Sequence, residues 1–272
     1  MSRPLIFAHR GASASLAEHS RAAFVRAIED GADGVECDVH LSRDGVPVLI
    51  HDATVDRTSD GSGAVADMNV AELKGLDIVS WHEGSSSEDY VGSESQFLTL
   101  GELLDLLSGA GRDIGIAIEF KHEGEAQDPL ALERAVLSLL EQRGWDEDAR
   151  RLGNIDVSFM SFHPESIGYL TQRLGSRGVC VLLESLEDLN RPEAGDLLAF
   201  GPFHGLYGPG LEGLREQEAH LRELLDAGAL FRVWTVDTTE DAAWLAGVGV
   251  QEITTNKPAE LLAYFAANST QE

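Results

Sequence analysis

Two cysteines and 20 basic residues are all that this 272-residue chain has of either kind, against 47 acidic ones. Cys37 and Cys180 stand far apart, each inside an apolar run. That reads as two buried thiols rather than a bridge, and nothing asks for an oxidising compartment. The formal net charge of −27 leaves no basic field for a nucleic-acid backbone and disfavours docking on an anionic membrane. An anionic ligand must therefore be met locally, by a metal or by a few Arg, His and Lys side chains. No apolar run approaches the ~18–20 residues of a membrane span. Leu5-Ile6-Phe7-Ala8, ahead of His9-Arg10, is too short for the core of a signal peptide, so the expected location is the cytoplasm. Also missing are a Gly-rich phosphate loop ahead of a helix, a zinc-protease histidine pair, a serine nucleophile elbow and a Cys-x-x-Cys.

What is present is alternation. Short apolar segments predict strands over Leu5–His9, Gly34–His40, Gly115–Lys121, Ile155–Phe162, Gly178–Leu183, His204–Tyr207, Leu230–Val236 and Val250–Thr254. Between them the pattern predicts helices over Leu16–Asp30, Thr99–Leu107, Pro129–Arg143, Glu165–Arg173, Ser185–Asn190, Leu211–Ala227, Thr239–Ala246 and Pro258–Ala267, with residues 193–200 read as an extension of the fifth past Pro192. Pro129 and Pro258 suit a first helical turn. Eight strands, each followed by a helix, on a chain near the ~250 residues usual for the fold, predict an α/β protein of the (β/α)8 TIM-barrel class, one domain over residues 1–272. Residues 41–98 break the rhythm as an insertion after the second barrel strand. It opens with a hairpin strand over Pro47–His51 and is expected to overhang the carboxyl end of the barrel, where barrel enzymes keep their chemistry.

Charges on strands carry the functional signal. Strand alternation turns Glu36, Asp38 and His40 to one face and Val35, Cys37 and Val39 to the helices. Two carboxylates so close oppose each other unless one is protonated or a cation lies between them. On the third strand Glu119 and Lys121 end an otherwise apolar run. Glu36, Asp38 and Glu119 together read as an all-oxygen site suited to Mg²⁺ or Ca²⁺; the competing reading is a structural ion-pair knot of Glu119, Lys121 and Arg10. His9 and His51 both follow apolar strands at the rim and form a candidate acid–base pair. Arg10 offers a planar fork for a phosphoryl group, and Lys121 a point charge. His19, His82, His122, His163, His204 and His220 read as polar surface or rim residues, with His163 able to touch substrate. Trp234 either turns inward, as a wall for a small organic group, or fills the core.

The set His9-Arg10-Gly11, Glu18, Gly31 to Val39, His51-Asp52, Leu98 to Leu104, Glu119 with Lys121, Ser161-Phe162, Trp234-Thr235-Val236 and Thr254 to Pro258 resembles the glycerophosphodiester phosphodiesterase family from residue 5 to 260. The resemblance implies a metal-dependent barrel enzyme that hydrolyses small glycerophosphodiesters to sn-glycerol 3-phosphate and an alcohol. It further implies Ca²⁺ or Mg²⁺ on Glu36, Asp38 and Glu119, acid–base catalysis by His9 and His51, and phosphoryl binding by Arg10 and Lys121. Glu18 falls where the family places a further acidic residue, sometimes in the metal sphere. The chain departs from the family pattern at Ala17-Glu18-His19-Ser20, usually Pro-Glu-Asn-Thr, at Asp237, commonly Asn, and at Asn256, often Asp. Alternatives on the same scaffold are a phospholipase-D-like enzyme for lysophospholipids or sphingomyelin, a metal-dependent sugar isomerase or aldolase, and a non-catalytic phosphodiester-binding barrel.

Overall fold

A computed structural model describes residues 3–83, 90, 95–122, 128–190 and 205–268. In chain order its strands are β1 (Leu5–His9), β2 (Gly34–Leu41), β3 (Pro47–Leu49), β4 (Ile114–Phe120), β5 (Arg151–Leu152), β6 (Ile155–Ser161), β7 (Val179–Leu183), β8 (Leu206–Pro209), β9 (Leu230–Val233) and β10 (Glu252–Thr255). Eight of them form the barrel, every pairing parallel, in the order β1, β2, β4, β6, β7, β8, β9, β10. Pairing of β10 back onto β1 closes it. The two short extra strands, β3 and β5, pair antiparallel with β2 and β6. The outer layer contains α1 (Arg21–Glu29), α2 (Val70–Leu73), α3 (Leu100–Ser108), α4 (Ala131–Gln142), α5 (Pro164–Leu174), α6 (Glu218–Asp226), α7 (Thr239–Val248) and α8 (Pro258–Asn268). A 3₁₀ turn over Leu186–Asn190 stands where the fifth helix is predicted; residues 191–204 lie outside the described residues, and with them His204 and the extension over 193–200.

The facing inferred for β2 holds. Val35, Cys37 and Val39 join Leu103, Leu107 and Val136 of the helix layer in one buried cluster. The barrel interior is filled from the opposite face by Phe7, Ala117, Met160, Cys180 and Leu182. Gly34 makes room for this filling, because a Cβ there would lie 2.4 Å from the Phe7 ring. Below Phe7, the buried Arg232 is balanced by Glu252 at 2.7 Å and lies 4.2 Å from the Phe7 ring centre. Both cysteines are buried and unbridged.

Several boundaries differ, for identifiable reasons. The first helix begins at Arg21 and not at Leu16, because Ser20 caps it, its side chain accepting the Ala23 amide hydrogen. Residues 10–19 fold instead as turns, with Arg10, Gly11 and His19 at positive φ. Glycine is required at position 11, since φ is +85° and a Cβ would stand 2.7 Å from the Ala23 backbone. Pro258 opens α8 and Pro164 opens α5, whereas Pro129 stands in the turn before α4. Strand β9 ends at Val233, so alternation stops there: Val236 packs into the helix-side cluster and not with Arg232 and Trp234.

The early insertion has its own small core, Val48, Ile50, Val55, Val65, Leu73, Ile78 and Phe97. β3 returns alongside β2, Val39 facing Leu49, and so delivers residues 50–57 to the carboxyl end of the barrel. Among the described residues no helix is long and apolar enough to cross a membrane.

Candidate active site

Three carboxyl groups meet at the mouth of the barrel. Glu36 and Asp38 from β2 and Glu119 from β4 are 1%, 0% and 7% exposed. One oxygen of each lies within 4.8 Å of the others. Burial, and then the charges of Asp38 and Glu119, push the Glu36 carboxyl well above its ordinary range. Burial and the Asp38 charge raise Glu119 to about 8. Burial opposes ionisation of Asp38 as well, but Arg10 and Lys121 outweigh it and hold that group below the usual carboxylate range. Arg10 Nε is 3.0 Å and Lys121 Nζ 3.1 Å from the two Asp38 oxygens, and Lys121 also contacts Glu119.

Ion pairing and a cation site are therefore both built into these residues, and the pairs do not satisfy all of them. Glu36 Oε1 is buried with no hydrogen-bond partner. An orphaned buried carboxylate oxygen facing two further acids fits a hard divalent cation, which prefers oxygen donors. Three carboxylates could hold such an ion here.

This arrangement ties stability to pH. Between the ordinary glutamate value of 4.5 and about 8, the folded, metal-free protein keeps a proton on Glu119 that the unfolded chain has lost. The contribution of this group to stability therefore falls as pH rises through that window. A bound divalent cation removes the penalty by taking the proton's place. The gain in Tm on adding Mg²⁺ or Ca²⁺ to metal-stripped protein is accordingly expected to be larger at pH 8.5 than at pH 6. An equal gain at both would contradict the site.

Each histidine at the rim is held by a different partner. His9 Nδ1 lies 2.7 Å from Asn256 Oδ1. The Asn256 Nδ2 group donates to Asp237 Oδ2 at 2.6 Å, and Ser13 Oγ donates to Asn256 Oδ1 at 2.8 Å. That orients the amide oxygen toward the ring, so Nδ1 must carry the hydrogen and Nε2 keeps its lone pair. Burial, and then the neighbouring Arg10, lower His9 to about 4. His51 Nδ1 instead meets a carboxylate, Asp52 Oδ1, at 2.7 Å. Arg57 fixes Asp52 through its Nε at 2.7 Å, and His40 Nε2 donates to the His51 carbonyl at 3.0 Å.

Glu18 is bound by Arg10 at 3.0 Å and by Arg57 at 2.8 Å. Burial works against its charge, but the Arg57 hydrogen bonds prevail and lower it to about 2. The structure places Glu18 in this arginine bridge, and the group of three carboxylates does not include it. The bridge also joins the first strand's loop to the insertion, so the insertion closes one side of the mouth.

A cavity of about 370 Å³ opens over these groups, lined by His9, Arg10, His51, Glu119, Lys121 and Trp234 among others. Seven of the sequence-predicted site residues, Glu36 among them, thus meet at one opening, and Asp38 lies buried directly beneath. Trp234 is a wall of the cavity and also packs against the interior cluster of Phe7, Met160 and Leu182; its Nε1 donates to Gly208 O at 2.7 Å. His19 corrects the surface reading: it is 3% exposed, and its Nε2 accepts the Asp38 amide hydrogen at 3.0 Å. His122 pairs with the buried Glu133 at 2.7 Å, its ring centre 4.6 Å from that of His163. Asn256, Asp237, Asp52 and Arg57 were not singled out as site residues. The exchanged family positions Asp237 and Asn256 carried the available signal, and in space the two departures are one bonded pair.

Comparison with known proteins agrees with this geometry. The model of the Glycerophosphoryl diester phosphodiesterase family matches residues 9–260. The chain is 33% identical over 262 residues to "Probable glycerophosphodiester phosphodiesterase 1" of Mycobacterium tuberculosis, covering 96% of this chain and 92% of that one. It is 32% identical over 266 residues to the glycerophosphodiester phosphodiesterase of Caldanaerobacter subterraneus, covering 96% and 97%. Among solved structures, an Oleispira antarctica phosphodiesterase in complex with the product sn-glycerol 3-phosphate superposes with a TM-score of 0.79 at 23% identity, covering 97% of both chains. A match that spans both the rim histidines and the last barrel strand takes in the whole site, and the chain belongs to the glycerophosphoryl diester phosphodiesterase family of phosphoric diester hydrolases.

Proposed function

We propose that this protein hydrolyses glycerophosphodiesters to sn-glycerol 3-phosphate and an alcohol by histidine acid–base catalysis at a Mg²⁺ or Ca²⁺ site. The observation that carries the reading is the unequal dressing of His9 and His51 on either side of a buried three-carboxylate cluster. The product complex of the Oleispira antarctica relative supports the same substrate class.

Glu36, Asp38 and Glu119 would hold the divalent cation. When bound, the ion supplies positive charge against the phosphate oxygens as negative charge builds on them. Arg10 and Lys121, lining the cavity beside the carboxylates, bind and orient the phosphoryl group. His9 is the base: its Nδ1 proton is engaged by Asn256, and its Nε2 lone pair is open to take a proton from the attacking oxygen, which is either water or the glycerol 2-hydroxyl whose cyclic phosphate water then opens. His51 is the acid: Asp52 takes up its Nδ1 hydrogen and orients the ring, so that Nε2 can deliver a proton to the departing alcohol oxygen.

The pH profile of kcat/KM tests this assignment. His9 must be neutral to act, and it is lowered to about 4. With metal saturating, the histidine acid limb is expected near pH 4, below the ordinary histidine value of 6.5. Loss of that limb in His9→Asn would agree with the assignment. An unchanged limb in that variant would sink it.

A further inference from the structure

Across the mouth from the carboxylates, the ends of β6, β7 and β9 carry a second constellation in the same cavity. Phe162 follows β6, Glu184 follows β7 and Trp234 follows β9, and all three line the opening. The rings of Phe162 and Trp234 meet edge to face, centres 5.6 Å apart and planes at 88°. Trp234 cannot turn freely, because its indole N–H is tied to Gly208 O at 2.7 Å. Phe162 is 40% exposed, unusual for so large an apolar side chain at a strand end. Gly210 keeps the gap between the two neighbouring walls clear, since a Cβ there would stand 3.0 Å from Glu184 O and 3.8 Å from the Trp234 ring.

The Glu184 carboxylate has no ion-pair or hydrogen-bond partner among the described residues, although its amide donates to Asp188 Oδ2 at 2.9 Å. Among the described residues the arginine and lysine that line the cavity, Arg10 and Lys121, are engaged with Asp38 on the far side. A free carboxylate beside two crossed aromatic rings lacks one thing, a cation, and aromatic faces attract ammonium groups over their π density. A neutral or anionic group would gain nothing from Glu184 and would meet its repulsion if negative.

We propose that Phe162, Trp234 and Glu184 form a subsite for an ammonium-bearing alcohol group, so that the preferred substrates are glycerophosphodiesters whose alcohol carries a positive charge. The proposal rests on the phosphodiesterase reading above and adds the class of leaving group to it. The phosphate is held on the β1, β2 and β4 side, and the alcohol crosses the mouth to the β6, β7 and β9 side. The chain's surplus of acidic residues points the same way, because it favours approach by a substrate whose exposed end is cationic.

The test compares kcat/KM for glycerophosphocholine with that for glycerophosphoglycerol at saturating metal. Wild type is expected to favour the choline ester by about tenfold, the scale of one cation–π contact plus one partly exposed charge pair. Glu184→Gln should bring that ratio down about fivefold, and Glu184→Lys should invert it. Glu184 is exposed, so neither change should disturb folding. A wild-type ratio near one, or a ratio unmoved by Glu184→Gln, would overturn the subsite. Choline titrated into metal-loaded protein and followed by tryptophan fluorescence gives a readout that needs no turnover. Weaker choline binding in Glu184→Gln supports the subsite, and absence of choline binding to wild type refutes it. Failure to cleave either ester would instead count against the phosphodiesterase reading, and the choline titration would still decide the subsite.

Discussion

Replacing His9 by Asn is expected to lower kcat on glycerophosphocholine by about 10³-fold, within the range for losing one positioned acid–base group. Asparagine can keep a hydrogen bond toward Asn256 but has no nitrogen that takes up a proton. The ring sits at the end of β1 with Nδ1 held 2.7 Å from Asn256, so the change removes chemistry and little packing. His51→Asn should cost a similar factor for the opposite reason, since a proton can no longer be delivered to the departing oxygen. The two losses should not multiply, because once either proton path is gone the other contributes little. A substrate with a good leaving group, such as a p-nitrophenyl phosphodiester, separates the roles. It should restore most of the rate to His51→Asn, whose missing proton it no longer needs, and little to His9→Asn. Restoration of both variants alike would reverse or remove the assignment.

Glu119→Gln is expected to have opposite signs in stability and activity. In the metal-free protein Glu119 is buried beside Asp38 and holds its proton up to about 8. A neutral amide relieves that repulsion, so the variant without metal should melt at or above the wild-type temperature at pH 8. It should also lose the Tm gain on adding Mg²⁺ or Ca²⁺, and its turnover should drop by about 10³-fold or more, in line with the several kcal/mol of charge stabilisation that a catalytic cation contributes. Asp38→Asn should differ in stability alone. Asp38 is the carboxylate that Arg10 and Lys121 share, so neutralising it takes the common counter-charge from two half-buried cations, which keep only Glu18 and Glu119, and should destabilise the fold by about 3 kcal/mol. Equal thermal behaviour of the two variants would mean that the three carboxylates are not divided in this way between cation binding and ion pairing.

These residues also explain which parts were legible beforehand. The barrel could be read because each strand keeps charge off its helix-facing side: Val35, Cys37 and Val39 could face only the helices, which left Glu36 and Asp38 to the mouth. Glu119 and Lys121 stood out as charges closing an apolar run. What alternation could not reach lies beyond the strand ends. Residues 10–19 look like the start of a helix by composition, yet Ser20 caps α1 and the preceding turn buries His19 against the Asp38 amide. The partners of the histidines were equally out of reach, because His9 is joined to a residue 247 positions away and Glu18 to Arg57 across 39. Such pairs follow from barrel closure and from the path of the insertion, and neither appears in local periodicity. Trp234 had two open readings until β9 ended at Val233 and released the indole toward the cavity.

We read the three carboxylates and two histidines as the working parts of a metal-dependent glycerophosphodiesterase. Release of sn-glycerol 3-phosphate from glycerophosphocholine by metal-stripped protein, with Mg²⁺ or Ca²⁺ then added back, tests it most directly. Release that is absent without metal and returns with one of the ions is the predicted result. Folded protein that releases no sn-glycerol 3-phosphate with either ion, or releases it equally well without any, would contradict a metal-dependent glycerophosphodiesterase.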